Sequence, residues 1–390
     1  MQLKPLIAIN ALSVVGNGCM AVQPVIVGAL VDRLGFTESQ AGFVAALEMT
    51  GVGLGFVVLF WLAHRLPARV MASAGVITIA AANLMACLVH TYAPMLAVQF
   101  VVGLGSAMVF SVYLRAGAAQ ERPEHLFAIV NAVSIAYSGI FMPITPFILA
   151  KWQLPGIFMT LAAIAALSGA LLSWIPAAAA PTAASPPRVA AKGVAAKASG
   201  ALLTPQVVMV LLMMLLLYTG HGAVWAFQER IGVGLGMDPK SVSRWLGISM
   251  LTWGVIGSML ASWLGMRLGR LWPQVLSLGV SVFAALLLVF GTTPAAFALA
   301  CGLIALSWFY GLPYQMGLLA HYDPLGRLNL IGCTMTTSGA ALGPALAAIL
   351  VASAGHGPVG VLAGCCYLVG LLLVIPPSLE SRRLAVATDA

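Results

Sequence analysis

Apolar runs of membrane-span length recur along the whole chain and constrain its fold more than any other feature. A helix needs about 20 apolar residues to cross the hydrocarbon core of a bilayer. Turn residues and charges divide the 390-residue chain, which is 61% hydrophobic and 7% charged, into twelve such runs. The sequence therefore predicts an all-α membrane protein with twelve transmembrane helices. The predicted spans are 6–31, 40–63, 70–91, 94–117, 126–149, 155–175, 206–229, 241–264, 272–291, 294–318, 327–352 and 357–377.

An internal repeat divides these spans into two sets of six. Residues 61–66 resemble residues 263–268 at an offset of 202, and Pro143 matches Pro344 at an offset of 201. The stretch between the repeats is rich in Ala and Pro and too poor in large apolar side chains to fold by itself. We expect two pseudo-symmetric six-helix bundles with a flexible linker between them. The predicted divisions are a bundle at 1–175, a cytoplasmic linker at 176–204, a bundle at 205–378 and a cytoplasmic tail at 379–390.

The basic residues that give the net charge of +8 are distributed as in a membrane protein, not as in a nucleic-acid-binding surface. With the N-terminus inside and twelve spans, thirteen of the eighteen Lys and Arg residues fall on the cytoplasmic side, which is the positive-inside pattern. We expect a monomer in a bacterial inner membrane, with both termini in the cytoplasm, the lipid bilayer as a partner and no nucleic acid. The basic residues predicted on the outer side are Arg33, Lys151, Arg230, Lys240 and Arg244.

The sequence carries no pattern for a cofactor, a metal or ATP. The six cysteines lie inside apolar runs without a C-x-x-C pair, and there is no Walker loop. We expect no cofactor, no metal and no catalytic residue, so the chain is not predicted to be an enzyme. A membrane-embedded enzyme is a remote alternative, because it would gather its ionisable residues in one place and here they are few and scattered.

Twelve spans in a 6+6 arrangement, a central loop and a basic turn after spans 2 and 8 resemble the major facilitator superfamily over nearly the whole chain. The turn of that family reads roughly G-x-x-x-D-R-x-G-R-R. The copies here lack its Asp but keep basic residues, and the resemblance implies a gating role for them. The residues concerned are Arg65, Arg69, Arg267 and Arg270. Gly339 to Pro344 in span 11 is similar to the G-x-x-x-G-P pattern that exporters of the family carry in span 5.

The resemblance implies that spans 1, 4, 7 and 10 line a central cavity. Each of these spans carries polar and aromatic residues at helical spacing on a single face. One Ser or Asn alone is better explained by hydrogen bonds between helices, but four such faces together favour a cavity for a small organic molecule. The predicted cavity residues are Asn17, Ser106, Tyr113, Tyr218, His221, Trp225, Gln228, Ser307, Tyr310 and Tyr314.

Glu48 is the leading candidate for proton coupling, and His221 is the second. A carboxylate inside a membrane helix costs about 2.5–3.5 kcal/mol on insertion scales, and burial favours its neutral form. Glu48 has no acidic counterpart in the second half, where Met250 occupies the position. The alternative for both residues is structural: Glu48 anchors span 2 to a neighbour, and His221 is a hydrogen-bonded packing residue.

The sequence therefore predicts a secondary active transporter that works by alternating access, with protons and a small-molecule substrate as partners. Proton-coupled uptake of a small organic solute is the first hypothesis, and proton-driven efflux of a drug or metabolite is the alternative. An organic anion is one option for the solute, if Arg115 turns inward rather than snorkelling to the interface.

Overall fold

A computed structural model describes residues 3–62, 66–118, 123–175, 203–265, 267–322 and 327–389. All regular structure within these ranges is helical, which confirms the predicted all-α class. Leu172–Trp174 forms a 3₁₀ turn and Met250–Gly254 a π-helical segment. The α-helices are α1 Leu3–Gly16, α2 Gly18–Ala21, α3 Gln23–Leu34, α4 Glu38–Leu62, α5 Ala68–Ala86, α6 Tyr92–Ala118, α7 Pro123–Gly169, α8 Pro205–Gly234, α9 Pro239–Ser249, α10 Val255–Leu264, α11 Leu271–Phe290, α12 Pro294–Tyr322, α13 Arg327–Ala354 and α14 Gly357–Asp389.

Ten helical segments in the described ranges are long and apolar enough to cross a membrane, rather than the twelve predicted. Two local features account for the difference. The first predicted span is divided into α1, α2 and α3 at Asn17 and Val22, so no single piece is long enough. The fifth and sixth predicted spans run together as α7, which is interrupted at Gln153 (φ 56°, ψ −162°). The twelve apolar runs are therefore present, but they do not form twelve separate long helices.

The division of the first span follows from its sequence. Asn17 lies between two glycines, which weaken a helix. Pro24 has no backbone N–H, so it cannot donate to the carbonyl of Met20, one turn earlier. The backbone at Val22 leaves helical geometry (φ −119°, ψ 16°), and a backbone N–H at the end of α2 donates to the Met20 carbonyl instead. A carbonyl oxygen has two lone pairs, so this one can also accept from another helix.

Helices within each half pack closely where glycine replaces a side chain. A Cβ built on Gly103 of α6 would lie 2.0 Å from the Glu48 carbonyl of α4. In the second half, a Cβ on Gly343 of α13 would lie 2.3 Å from the Thr219 carbonyl of α8. Small residues let membrane helices approach in this way. The G-x-x-x-G-P pattern of span 11 is therefore a packing surface against α8 in this structure.

The basic turns differ in what their side chains contact. Arg65 lies outside the described residues. Arg69 donates to the Ile175 carbonyl and, at 2.8 Å, to the Ser173 carbonyl, where the chain leaves the sixth predicted span. The Arg267 guanidinium lies 5.5 Å from the centre of the Trp263 ring. Arg270 lies close enough to His321 to act on it electrostatically. Their gating role stays a prediction.

Most of the predicted linker, residues 176–202, lies outside the described residues, as does Ala390. Thr204 begins the second half, because its side chain accepts a hydrogen bond from Val207 N as the N-cap of α8. The boundaries of the predicted domains stay a prediction.

Candidate functional site

The two halves are joined at one end of the helices by buried charges. Arg230, near the end of α8, donates to both carboxylate oxygens of Asp32, near the end of α3, at 2.7 and 2.8 Å. It also donates to both oxygens of its neighbour Glu229, at 2.6 and 3.1 Å. Arg230 and Glu229 are buried, whereas the Asp32 side chain is half exposed. We call this side of the molecule the Asp32 end.

Glycine makes room for this charge cluster on α3. A Cβ built on Gly28 would lie 2.2 Å from Glu229 Oε2 and 2.9 Å from an Arg230 guanidinium nitrogen. The Glu229 carboxylate therefore occupies the space that a side chain at position 28 would fill. A larger residue would have to push that carboxylate away from Arg230.

Three further contacts join the halves near the same end. Glu38, which begins α4, lies 3.1 Å from His356, which follows α13. The Lys240 ammonium of α9 lies 6.0 Å from the centre of the Phe147 ring of α7. Deeper in the molecule, the Trp225 indole donates at 2.9 Å to the Met20 carbonyl. The first half therefore contacts the second at several points, on α2, α3, α4 and α7.

A hydrogen-bonded helix start lies beside these contacts. Asp238 is the N-cap of α9 and accepts hydrogen bonds from the backbone N–H groups of Lys240 and Ser241. The Ser241 hydroxyl donates to the same carboxylate, and these hydrogen bonds hold the pKa of Asp238 below its usual range. The Asp238 carboxylate therefore stays charged at the start of α9.

The halves separate towards the opposite end. The inner pieces of the broken helices pack within their own halves: α1 lies against α6 and α7, and α10 lies against α12. Contact across the interface continues to mid-helix, where a Cβ on Gly53 would lie 3.6 Å from Thr337 Cγ2. One turn further along α13, Cys333 and Thr334 are exposed. A solvent-accessible space therefore lies between the halves beyond Thr337.

Aromatic rings line this space from both halves. In the first half, the Phe110 ring is stacked on Phe56 with centroids 6.2 Å apart and meets Tyr113 edge-on at 5.7 Å. In the second half, Tyr218 meets Trp308 edge-on at 5.8 Å. Tyr113 and Tyr218 both lie close enough to Cys333 to interact with it electrostatically.

His221 lies behind this lining and is 1% exposed. Its ring is 5.0 Å from Trp308 and 5.1 Å from Tyr367, centre to centre. Neither ring nitrogen has a hydrogen-bond partner among the described residues. The Leu217 carbonyl, one turn earlier, influences the ring but lies outside hydrogen-bond geometry. An unpaired buried polar group costs about 1–3 kcal/mol, and at 1% exposure the imidazole does not contact the space in this conformation.

Glu48 lies in a separate place, between α4 and α3. It is 4% exposed and lies close enough to the Gln23 side chain to be influenced by it, while the Gln23 amide donates to the Ala45 carbonyl at 3.5 Å. No ion pair in the part of the chain that the structure describes includes Glu48. Cys19 lies close enough to interact with the carboxyl, and its thiol is 3.6 Å from Asn83 Oδ1. The carboxyl is thus surrounded by neutral polar groups near the break in the first span.

The other predicted cavity residues take several positions. Asn17 is half-buried and donates to Ser134 of α7 at 3.4 Å. Ser106 and Gln228 are buried. In the tenth predicted span, Ser307 bonds Ser281 of α11 at 2.9 Å, and Tyr314 donates to the Ala261 carbonyl of α10 at 3.3 Å. Tyr310 packs beside Tyr314.

These contacts leave the cavity role of Ser307, Tyr310 and Tyr314 a prediction, since in this conformation they bond and pack within the second half. The residue of this helix at the aromatic lining is Trp308. Sequence reasoning missed Trp308 and Cys333. Trp308 directly follows Ser307, so the helical face chosen for this span lay about 100° away from it. A lone cysteine in an apolar run gave no signal.

Comparison with known proteins agrees with the architecture. A family model described as Major Facilitator Superfamily matches residues 8–332. Crystal structures of the nucleoside transporter NupG are similar in fold: a mutant gives a TM-score of 0.75 at 14% identity, covering 95% of this chain and 98% of that one. An inward-open structure of the xylose transporter XylE from E. coli gives 0.72 at 14% identity, covering 95% of both chains. No curated protein sequence matches the chain.

Proposed function

The chain belongs to the major facilitator superfamily, and from that premise we propose that it is a proton-coupled transporter of a small organic solute that works by alternating access. The chain is a multi-pass membrane protein, with ten helical segments in the described ranges that are long and apolar enough to cross a bilayer. The proposal includes a bacterial inner membrane as its location and a monomer as its working form.

One observation carries the proposal: the two halves are bridged by charges at the Asp32 end and are separated by an aromatic-lined space beyond mid-helix. A transporter of this kind must close one side of its site while the other is open, and parallel halves that rock around a central site do this. The bidentate contact between Arg230 and Asp32 is suited to a gate because it joins the halves only when they meet.

The distribution of basic residues supports an orientation. The predicted topology places thirteen of the eighteen Lys and Arg residues on the side opposite Asp32, which is the cytoplasmic side by the positive-inside pattern. With that orientation, the structure is an inward-facing conformation: Asp32, Arg230, Glu38 and His356 close the outer side, and the Cys333 space opens to the cytoplasm.

Glu48 is the residue that we propose for proton coupling. A carboxyl buried among neutral groups favours its protonated form, and a change of surroundings during rocking would release the proton. Glu48 is placed for such a change, because its neighbour Gln23 begins α3, and α3 also carries Asp32 of the gate. Movement of α3 away from the second half would alter both contacts.

Reconstitution into liposomes with an imposed proton gradient tests the function. The expected result is vectorial uptake of a solute accompanied by proton flux in the same direction. A broad thermal-shift screen supplies the solute, because a ligand stabilises the protein to which it binds. Proton flux opposite to the solute would replace uptake with efflux. Chemical conversion of the solute without vectorial movement would overturn the transport proposal.

A further inference from the structure

The space at Cys333 lies between the halves rather than on the lipid surface. Cys333 is exposed and lies one helical turn before Thr337, whose Cγ2 faces Gly53 of α4 in the first half. Residues four apart share one face of a helix, so Cys333 lies on the face of α13 that is directed at the first half, within electrostatic range of Tyr113 and Tyr218. The thiol therefore marks a water-accessible position between the bundles.

The helices that surround this position carry no formal charge along their central lengths. Residues 5–31, 92–114, 205–228, 294–320 and 328–354 contain no Lys, Arg, Asp or Glu. Arg115, two residues after Tyr113, donates to the Leu66 carbonyl at 3.3 Å. Glu48 is buried beside α3. The central lengths of these helices therefore provide aromatic faces and neutral hydrogen-bonding groups.

A charged solute would lose its hydration here without gaining an opposite charge, which is strongly unfavourable. An uncharged solute has no such penalty. Aromatic rings attract planar rings in stacked or edge-on geometry, and the Tyr218 and Trp308 rings are already arranged edge-on. The exposed polar residues beside these rings are Cys333 and Thr334, whereas His221 is buried behind Trp308 at 5.0 Å.

We propose that the transported solute is an uncharged compound with a planar aromatic or heteroaromatic ring and hydrogen-bonding substituents, and that its ring binds beside Trp308 and Tyr218, next to Cys333. This inference rests on the proposed transport function for its physiological meaning. It replaces the organic-anion option with a neutral solute, because the central lengths of the surrounding helices carry no cation that would select an anion.

Protection of Cys333 from alkylation tests the site without requiring transport. The probes are benzamide, benzoate, benzylammonium and cyclohexanecarboxamide, which have similar size but differ in charge or aromaticity. Probes of this size are expected to bind in about the millimolar range, so each is used at about 20 mM. A sulfonated, membrane-impermeant maleimide labels purified protein, and Cys333→Ser defines the background.

We expect benzamide to slow labelling of Cys333 by about threefold or more, with little effect of benzoate or benzylammonium and a weaker effect of cyclohexanecarboxamide. Equal or better protection by benzoate or benzylammonium would overturn the neutral-solute proposal. Equal protection by cyclohexanecarboxamide would overturn the aromatic part. Failure of every probe to protect would overturn the binding site.

Variants of Trp308 locate the ring. Trp308→Leu should abolish protection by benzamide, whereas Trp308→Phe, which keeps a ring, should retain it. Trp272→Leu on the exposed surface of α11 is the matched control. The unprotected labelling rate of each variant reports whether the fold around Cys333 is intact. Retained protection in Trp308→Leu would overturn the assignment. Protection of Cys333 in a protein that fails to transport in liposomes would overturn the transport function but leave the site standing.

Discussion

Arg230 and Asp32 are 198 residues apart in the chain, yet they meet through two parallel hydrogen bonds of 2.7 and 2.8 Å. Each comes from a different half of the molecule, and Glu229 is hydrogen-bonded to the same guanidinium. Glu229 would remain beside Arg230 after Asp32 withdrew, so the buried cation would keep a counter-ion. A gate built this way can open without leaving an unpaired buried charge.

Arg230→Gln should weaken closure of the Asp32 end and move the population away from the inward-facing conformation. Removing one member of a buried pair costs about 3–5 kcal/mol, and the half-exposed Asp32 lowers the expected effect to about 1–3 kcal/mol. Labelling of Cys333 from the cytoplasmic side of inside-out vesicles should fall by about threefold or more.

The control for this variant is Arg244→Gln, which removes an exposed arginine near the same end. Exchanging the two charges in the double variant Asp32→Arg with Arg230→Asp should restore part of the labelling. A gate role would be excluded if Arg230→Gln labelled at the rate of the unaltered protein.

Gly28→Ala should act in the same direction without removing any charge. Its Cβ would lie 2.2 Å from Glu229 Oε2, and the carboxylate can move aside only by lengthening its bonds to Arg230. An alanine is otherwise more favourable than glycine within a helix by about 1 kcal/mol. Labelling of Cys333 from the cytoplasmic side reports which conformation is populated. It therefore detects the steric effect at the Asp32 end and not the gain in helix propensity.

Gly279→Ala is the matched control for that measurement, since no atom lies within 4 Å of a Cβ at this position of α11. It should leave Cys333 labelling unchanged. Equal rates of Cys333 labelling in the two alanine variants would contradict the close contact between Glu229 and Gly28 of α3.

Glu48→Gln should uncouple transport from the proton gradient. The amide has nearly the same shape and can still lie beside Gln23, so exchange of solute down its gradient should continue while accumulation against the gradient is lost. Uptake and counterflow in the same liposomes measure both. Glu380→Gln, in the C-terminal half of α14, is the control and should keep both activities. Concentrative uptake by Glu48→Gln would remove the coupling role.

Trp225→Phe should destabilise the closed interface by removing the indole N–H that donates to the Met20 carbonyl of the other half. Loss of such a hydrogen bond costs about 0.5–1.5 kcal/mol, which should lower the melting temperature. Equal melting temperatures for the unaltered protein and Trp225→Phe would show that this bond does not support the interface.

Much of the fold was readable from the sequence because the bilayer restricts what can cross it. Long apolar runs must be helical, since a backbone in hydrocarbon has to satisfy its own hydrogen bonds. The break in the first span had a local signal in Pro24 and the glycines around Asn17, yet a count of apolar residues ignores both. The join between the fifth and sixth spans at Gln153 is likewise invisible to hydropathy, because apolar residues continue on both sides.

The site was less predictable than the fold. Helical spacing placed Tyr218, His221 and Trp225 on one helix, but it did not reveal that Trp225 bonds Met20 or that His221 lies behind Trp308. On the tenth predicted span, the hydroxyl of Ser307 suggested a cavity face, whereas the structure shows that hydroxyl bonded to Ser281. Hydroxyls serve both roles, and spacing alone does not separate them.

The sequence by itself determined that this chain is a helical membrane protein with a repeated architecture, because hydrophobicity and charge bias act locally and need no knowledge of contacts. Only the tertiary structure decided that Arg230 meets Asp32 at one end, that Trp225 donates to the Met20 carbonyl of the other half, and that Cys333 lies on the face of α13 directed at the first half. Those relationships depend on the rotation and approach of helices that are far apart in the chain. The small residues Gly28, Gly103 and Gly343 permit that close approach, and apolar periodicity does not encode it.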